Sequence, residues 1–146
     1  MFLNELSKSE AISFLNLVSI FAKVDNKFSK EEKILLDEYK EELGILNEEI
    51  EIKEYDEIIP IIKQIDIRKR KIIYFELVGL ALVDGEYENQ EIDFLEDLAS
   101  ELEISRSSKI AIANYFFNFT DIYKIATVES NDKINKLKEE AEKILK

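Results

Sequence analysis

Ala22-Lys23-Val24-Asp25-Asn26-Lys27-Phe28-Ser29-Lys30-Glu31-Glu32 is answered 59 residues later by Ala81-Leu82-Val83-Asp84-Gly85-Glu86-Tyr87-Glu88-Asn89-Gln90-Glu91. Both stretches read Ala-x-Val-Asp-[Asn/Gly]-x-[Phe/Tyr], with a Glu four positions after the aromatic, and both lie between apolar runs of helical period. Sliding the chain by 59 places Phe14–Ile45 on Ile73–Ile104 without a gap, with eight identities. Most of those identities are apolar or acidic residues that any amphipathic helix supplies. The shared turn carries the information, and it predicts two helical hairpins built to one plan. Each turn residue also has a local structural reading. Asn26 and Gly85 are types that tolerate a left-handed conformation after a helix. Asp25 and Asp84 can fold back as Asx-turns, Phe28 and Tyr87 can plug the loop, and Glu32 fits a capping box opened by Ser29.

Working outward, the periodicity predicts helix nearly everywhere. Ser7-Lys8-Ser9-Glu10 is a capping box ahead of Ile12, Leu15, Val18 and Phe21. Gly44 is the stop for the helix carrying Leu35, Leu36, Tyr39 and Leu43. Asn47 is expected to cap a short acidic turn. Asp56 is expected to cap a further helix, with Pro60 in its first turn. Asp66 opens the next helix, which halts at Asp84-Gly85. Residues 89–102 form another, Ser105 caps a long aromatic-rich helix, and a final one follows Ser130-Asn131-Asp132. Ile50-Glu51-Ile52 alternates but is too short to build a sheet. The expectation is an all-α compact bundle of about seven helices in a single domain, 1–146. Repeat 1 spans about 8–45, repeat 2 about 67–104, and the C-terminal helices 106–146.

Composition removes many chemistries. The 146 residues contain no Cys and no His, so disulfides, thiol catalysis, zinc–thiolate sites and the usual general base are gone. The hydrophobic share of 46% is enough for a core despite the charge. A net charge of −12 argues against nucleic acid or an anionic membrane as the main partner. No basic, apolar leader is visible and no apolar run reaches the ~20 residues of a membrane span, so the expected setting is soluble and cytoplasmic. The acidity is localised. Residues 25–57 sum to −8 and residues 84–103 to −9, while the rest of the chain sums to +5. Like charges held close raise the free energy unless a cation or a basic partner neutralises them.

The two turns resemble the repeated "ADG, four or five residues, then E" motif of the TerB-like helical family, which includes a tellurite-resistance protein and the N-terminal domain of a DnaJ-like membrane chaperone. The resemblance covers about residues 8–125, and Asn26 departs from it where the motif has Gly. It implies an all-helical, internally duplicated fold. It also implies an acidic surface proposed to bind metal ions, and a role in stress-response or membrane-associated complexes. The matching positions are Asp25 and Glu32 in the first repeat, and Asp84, Gly85 and Glu91 in the second.

As candidate metal ligands, Asp25, Glu32, Asp84, Glu86, Glu88 and Glu91 offer hard oxygen donors suited to Ca²⁺, Mg²⁺ or Mn²⁺. Neither turn is an EF-hand: counted from Asp84, positions 6 and 12 hold Asn89 and Leu95. The other reading is a protein-interaction scaffold without metal chemistry, meeting a basic partner. Mimicry of nucleic-acid charge fits poorly, because Lys residues interrupt the acidity. Nothing marks a sugar or phosphate site, so the reading is non-enzymatic. Arg68-Lys69-Arg70-Lys71 reads as a solvated face or as contacts to nearby acids. The stripe Tyr115-Phe116-Phe119-Tyr123 reads as core, with Phe117 off that face as a contact for the C-terminal helix or for a second subunit of a homodimer.

Overall fold

The computed structural model describes residues 2–24, 30–46, 50–82, 89–126 and 131–146. The described residues contain seven α-helices, a 3-10 turn at Leu3–Glu5, and no strand. The chain divides into two compact units, Met1–Glu103 and Ile104–Lys146.

The first unit holds α1 (Lys8–Ala22), α2 (Lys30–Leu43), α3 (Tyr55–Ile62), α4 (Ile67–Leu82) and α5 (Asn89–Glu101). Helix α1 packs on α2 and α3, α4 packs on α5, and the 3-10 turn lies against α2 and α4. Helix α4 buries seven consecutive residues, Ile72–Val78, the pattern of a helix surrounded by protein. Phe14, Leu17, Ile58, Ile62, Leu77 and Leu98 are fully buried, each contributing about 1.5–3 kcal/mol relative to exposure. The second unit is the pair α6 (Arg106–Ala126) and α7 (Asn131–Leu145). Ile112, Tyr115, Leu137, Ala141 and Leu145 are buried, and the Tyr115 hydroxyl donates to the Leu137 carbonyl at 3.2 Å.

Three of the four helix starts whose caps are described follow the sequence signals. The Ser7 capping box forms, with Ser7 N–H on the Glu10 carboxylate at 2.7 Å and Glu10 N–H on Ser7 Oγ at 3.3 Å. The Asp66 carboxylate accepts from Lys69 N–H at 3.1 Å, and Ser105 Oγ from Ser108 N–H at 3.2 Å. Helix α3 departs from expectation. Its N-cap is Glu54 rather than Asp56, and Pro60 lies inside the helix. The Glu57 carboxylate takes the Glu54 N–H at 3.4 Å, which starts the helix earlier. Pro60 and Asp56 are both exposed, so water reaches the carbonyl that a proline leaves unbonded one turn back. The Asn47 and Ser29 caps and the Asp84-Gly85 stop lie outside the described residues.

The 59-residue offset reappears in the helix bounds: α1 and α4 begin at Lys8 and Ile67, α2 and α5 at Lys30 and Asn89. It also reappears at the helix ends. Gly44 (φ 66°) and Glu103 (φ 57°) are the two described residues with left-handed backbone. Their amides donate to Glu41 and Ser100 carbonyls at 3.1 and 3.2 Å, and the following Ile45 and Ile104 are both buried. A left-handed residue that turns the chain is a common helix stop. A Cβ on Gly44 would meet nothing within 4 Å, so Gly44→Ala carries only the backbone penalty, a loss of about 1 kcal/mol. Glu103→Gly relieves the same penalty but gives up an ion pair with Arg70 whose Glu103 side is exposed, for a net gain of about 0.5 kcal/mol. Urea titration of both variants checks the opposite signs.

Candidate functional site

Of the six candidate ligands, Asp25, Asp84, Glu86 and Glu88 lie outside the described residues. Glu32 is on α2, in its first turn by sequence. Glu91 is in the first turn of α5 and is only 4% exposed. Free amides and the positive end of the helix dipole favour a carboxylate at that position. Among the described residues no group of three or more acidic side chains is placed to hold a metal ion.

Eight of the described acids lie on the exposed faces of two helices. Asp37, Glu38, Glu41 and Glu42 are exposed on α2, and Asp93, Glu96, Asp97 and Glu101 are exposed on α5. The spacing follows from helix geometry, since positions one turn apart share a face. The opposite faces carry Leu36 and Tyr39 on α2, and Leu95, Leu98 and Ala99 on α5, all buried.

Three of the four residues in the basic run are engaged inside the first unit. Arg68 makes a two-pronged bond to Glu5 at 2.8 and 2.9 Å and lies 5.9 Å from the Phe2 ring. Lys69 bonds Glu10 at 3.0 Å. Arg70 donates to the Ile65 and Leu102 carbonyls at 2.9 and 3.0 Å and to the Glu103 carboxylate at 3.2 Å. The run therefore binds helix ends and capping acids. Burial alone pushes the Glu10 carboxyl up, but the Ser7 amide, Lys69 and the Ser7 hydroxyl outweigh it and hold it below its ordinary value. A depressed carboxylate contributes stability above its unfolded value, about pH 4.3 for Glu. That contribution is lost as pH falls through the lower folded value. Glu10→Gln is thus expected to destabilise at neutral pH and to flatten acid unfolding below about pH 4, measured by thermal melts across pH.

A cleft of about 400 Å³ opens between α1, α3 and α5. Ile20, Val24, Tyr55 and Phe94 line it on the apolar side, and Asp97, Ser100 and Glu101 line the polar side. Phe94 stands 5.6 Å from both Phe21 and Tyr55, ring centre to ring centre. The Tyr55 hydroxyl is buried without a hydrogen-bond partner. Burial chiefly, then the charges of Glu101, Asp97 and Asp56, push its ionisation up, so the phenol stays neutral. Across the rim, Lys63 Nζ pairs with Glu101 Oε2 at 3.3 Å. Sequence reasoning missed this cleft. Phe94, Asp97 and Glu101 fall at three- and four-residue steps on α5, which is visible in the sequence. Their meeting with Tyr55 comes from Phe94 of α5 reaching both Phe21 of α1 and Tyr55 of α3.

Comparison with protein-family models, with curated proteins and with solved structures returned no match. Among the described residues, no helix is long and apolar enough to cross a membrane.

Proposed function

We propose that the chain is a non-enzymatic acidic helical module that binds a divalent cation, a basic partner protein or both. The setting implied by the TerB-like resemblance is a cytoplasmic stress-response complex of the tellurite-resistance kind, membrane-associated or not. The observation that carries the reading is the separation of charge. The acids of α2 and α5 stand exposed, while Arg68, Lys69 and Arg70 are engaged in holding the first unit together. An acidic face of this kind raises on-rate and selects cationic partners more than it adds affinity. The equal spacing of helix bounds and helix stops supports a duplicated hairpin, in which Asp25 and Glu32 correspond to Asp84 and Glu91.

The second reading is a scaffold without metal chemistry, and the exposure of α2 and α5 acids favours it equally. The two separate in one experiment: capture of a partner by the full chain and by an Asp84→Asn/Glu91→Gln variant, with and without a chelator. A metal-dependent module loses the partner on chelation as well as in the variant. A scaffold loses it in the variant alone.

A further inference from the structure

We infer that the cleft between α1, α3 and α5 receives the ammonium or guanidinium group of a lysine or arginine presented by a basic partner protein. The inference deepens the proposed function by giving the acidic module a specific receptor. Three features of the cleft select that chemistry. Its apolar side, Ile20, Val24 and the Tyr55 and Phe94 rings, suits the methylene stem of a long cationic side chain. Aromatic faces also attract a cation directly. Its polar side offers two carboxylates, Asp97 and Glu101, on consecutive turns of α5, with Ser100 between them. The Tyr55 hydroxyl is itself closed off from water, so its ring and not its oxygen is what the cleft presents. A carboxylate or phosphate ligand would meet Asp97 and Glu101 and be repelled.

The rim already attracts a cation. Lys63 reaches Glu101 from the end of α3, and both side chains are nearly half exposed, at 47% and 46%. Such a pair is weak and readily exchanged. Lys63 therefore competes with the incoming group, and its removal favours binding.

The test is a calorimetric titration of a synthetic amphipathic Leu/Lys peptide into the full chain at about 0.15 M salt, where long-range charge effects are screened beyond about 8 Å. Ring resonances of Tyr55 and Phe94 are followed in parallel by NMR. Both rings are expected to shift with the calorimetric Kd. Asp97→Asn/Glu101→Gln should weaken binding at least tenfold, on the scale where 1.4 kcal/mol is a factor of ten. Lys63→Met should tighten it severalfold, an effect that a damaged fold would not produce. A peptide with norleucine for lysine should not bind.

If these variants bind as the wild type does, while Asp37→Asn/Glu38→Gln/Glu41→Gln on α2 abolishes binding, the cleft assignment is overturned and the acidic-module reading survives. If the wild-type chain does not bind the peptide, the cleft assignment is likewise overturned, and titration with divalent cations then decides the broader reading.

Discussion

Asn16→Ala is expected to lower the stability of the chain by about 2–3 kcal/mol, a drop in Tm of roughly 6–12 °C at this size. Asn16 sits on the apolar stripe of α1 and is only 4% exposed. Its amide donates to the Ile12 carbonyl at 3.2 Å and to the Glu51 carbonyl at 2.9 Å, and its oxygen accepts from Lys53 N–H at 3.1 Å. One side chain thus fastens the segment 50–54, which has no ladder partner of its own among the described residues, to the middle of α1. Removing it leaves one part-buried backbone donor and one part-buried acceptor without this partner. A net hydrogen bond contributes about 1 kcal/mol, and a buried group left unpaired costs about 1–3 kcal/mol. The better helix propensity of alanine returns only about 0.6 kcal/mol. Asn16→Asp should fail as well, because it keeps the acceptor for Lys53 but sets a carboxylate against the Glu51 carbonyl. Urea unfolding of both variants checks this; a loss below about 0.5 kcal/mol in either would show that the segment is held by other contacts.

Arg70→Met is the second large effect, with an expected loss of about 2 kcal/mol. The methionine retains an apolar stem, so the loss reports on the guanidinium. That group joins the Ile65 carbonyl, just after α3, to the Leu102 carbonyl at the end of α5, and it also reaches Glu103. Its side chain is 14% exposed whereas that of Glu103 is 74% exposed, so the two carbonyl bonds carry most of the effect and the ion pair little. Arg70→Lys should recover only part of the stability, since an ammonium lacks the planar fork that reaches two acceptors. Glu103→Gln should be close to neutral. The three variants together separate helix-end capping from surface charge in a single set of melts.

Both effects concern polar residues whose partners are far away in sequence, which marks the limit of what the sequence makes legible. Helix type, the Ser7, Asp66 and Ser105 caps and the Gly44 stop depend on neighbours three or four residues away, so pattern alone reveals them. Glu103 was hidden because its left-handed backbone follows from the helix end it terminates, not from its residue type. Asn16 reads as an imperfection on an apolar stripe until the segment at Glu51 is laid across it. Arg70 reads as one charge in a basic run until α3 and α5 converge on it. The candidate ligands Asp25, Asp84, Glu86 and Glu88 rest on turn grammar and charge, both local signals. Tyr55 carries no such signal, because its significance lies in the cleft it forms with Phe94, Asp97 and Glu101.

The charge map is the part of the sequence reading that the fold sharpens most. Among the described residues, part of the localised acidity falls on exposed faces of α2 and α5, and Arg68, Lys69 and Arg70 of the basic run are internal fastenings. The central claim is that these acidic helices form a binding surface for a cationic partner. Its most direct test is calorimetry on the full chain at about 0.15 M salt, with Ca²⁺, Mn²⁺ and a Leu/Lys peptide titrated in turn. Saturable heat at a defined stoichiometry is expected from at least one of the three. Three flat titrations, with no accompanying rise in Tm, would contradict it.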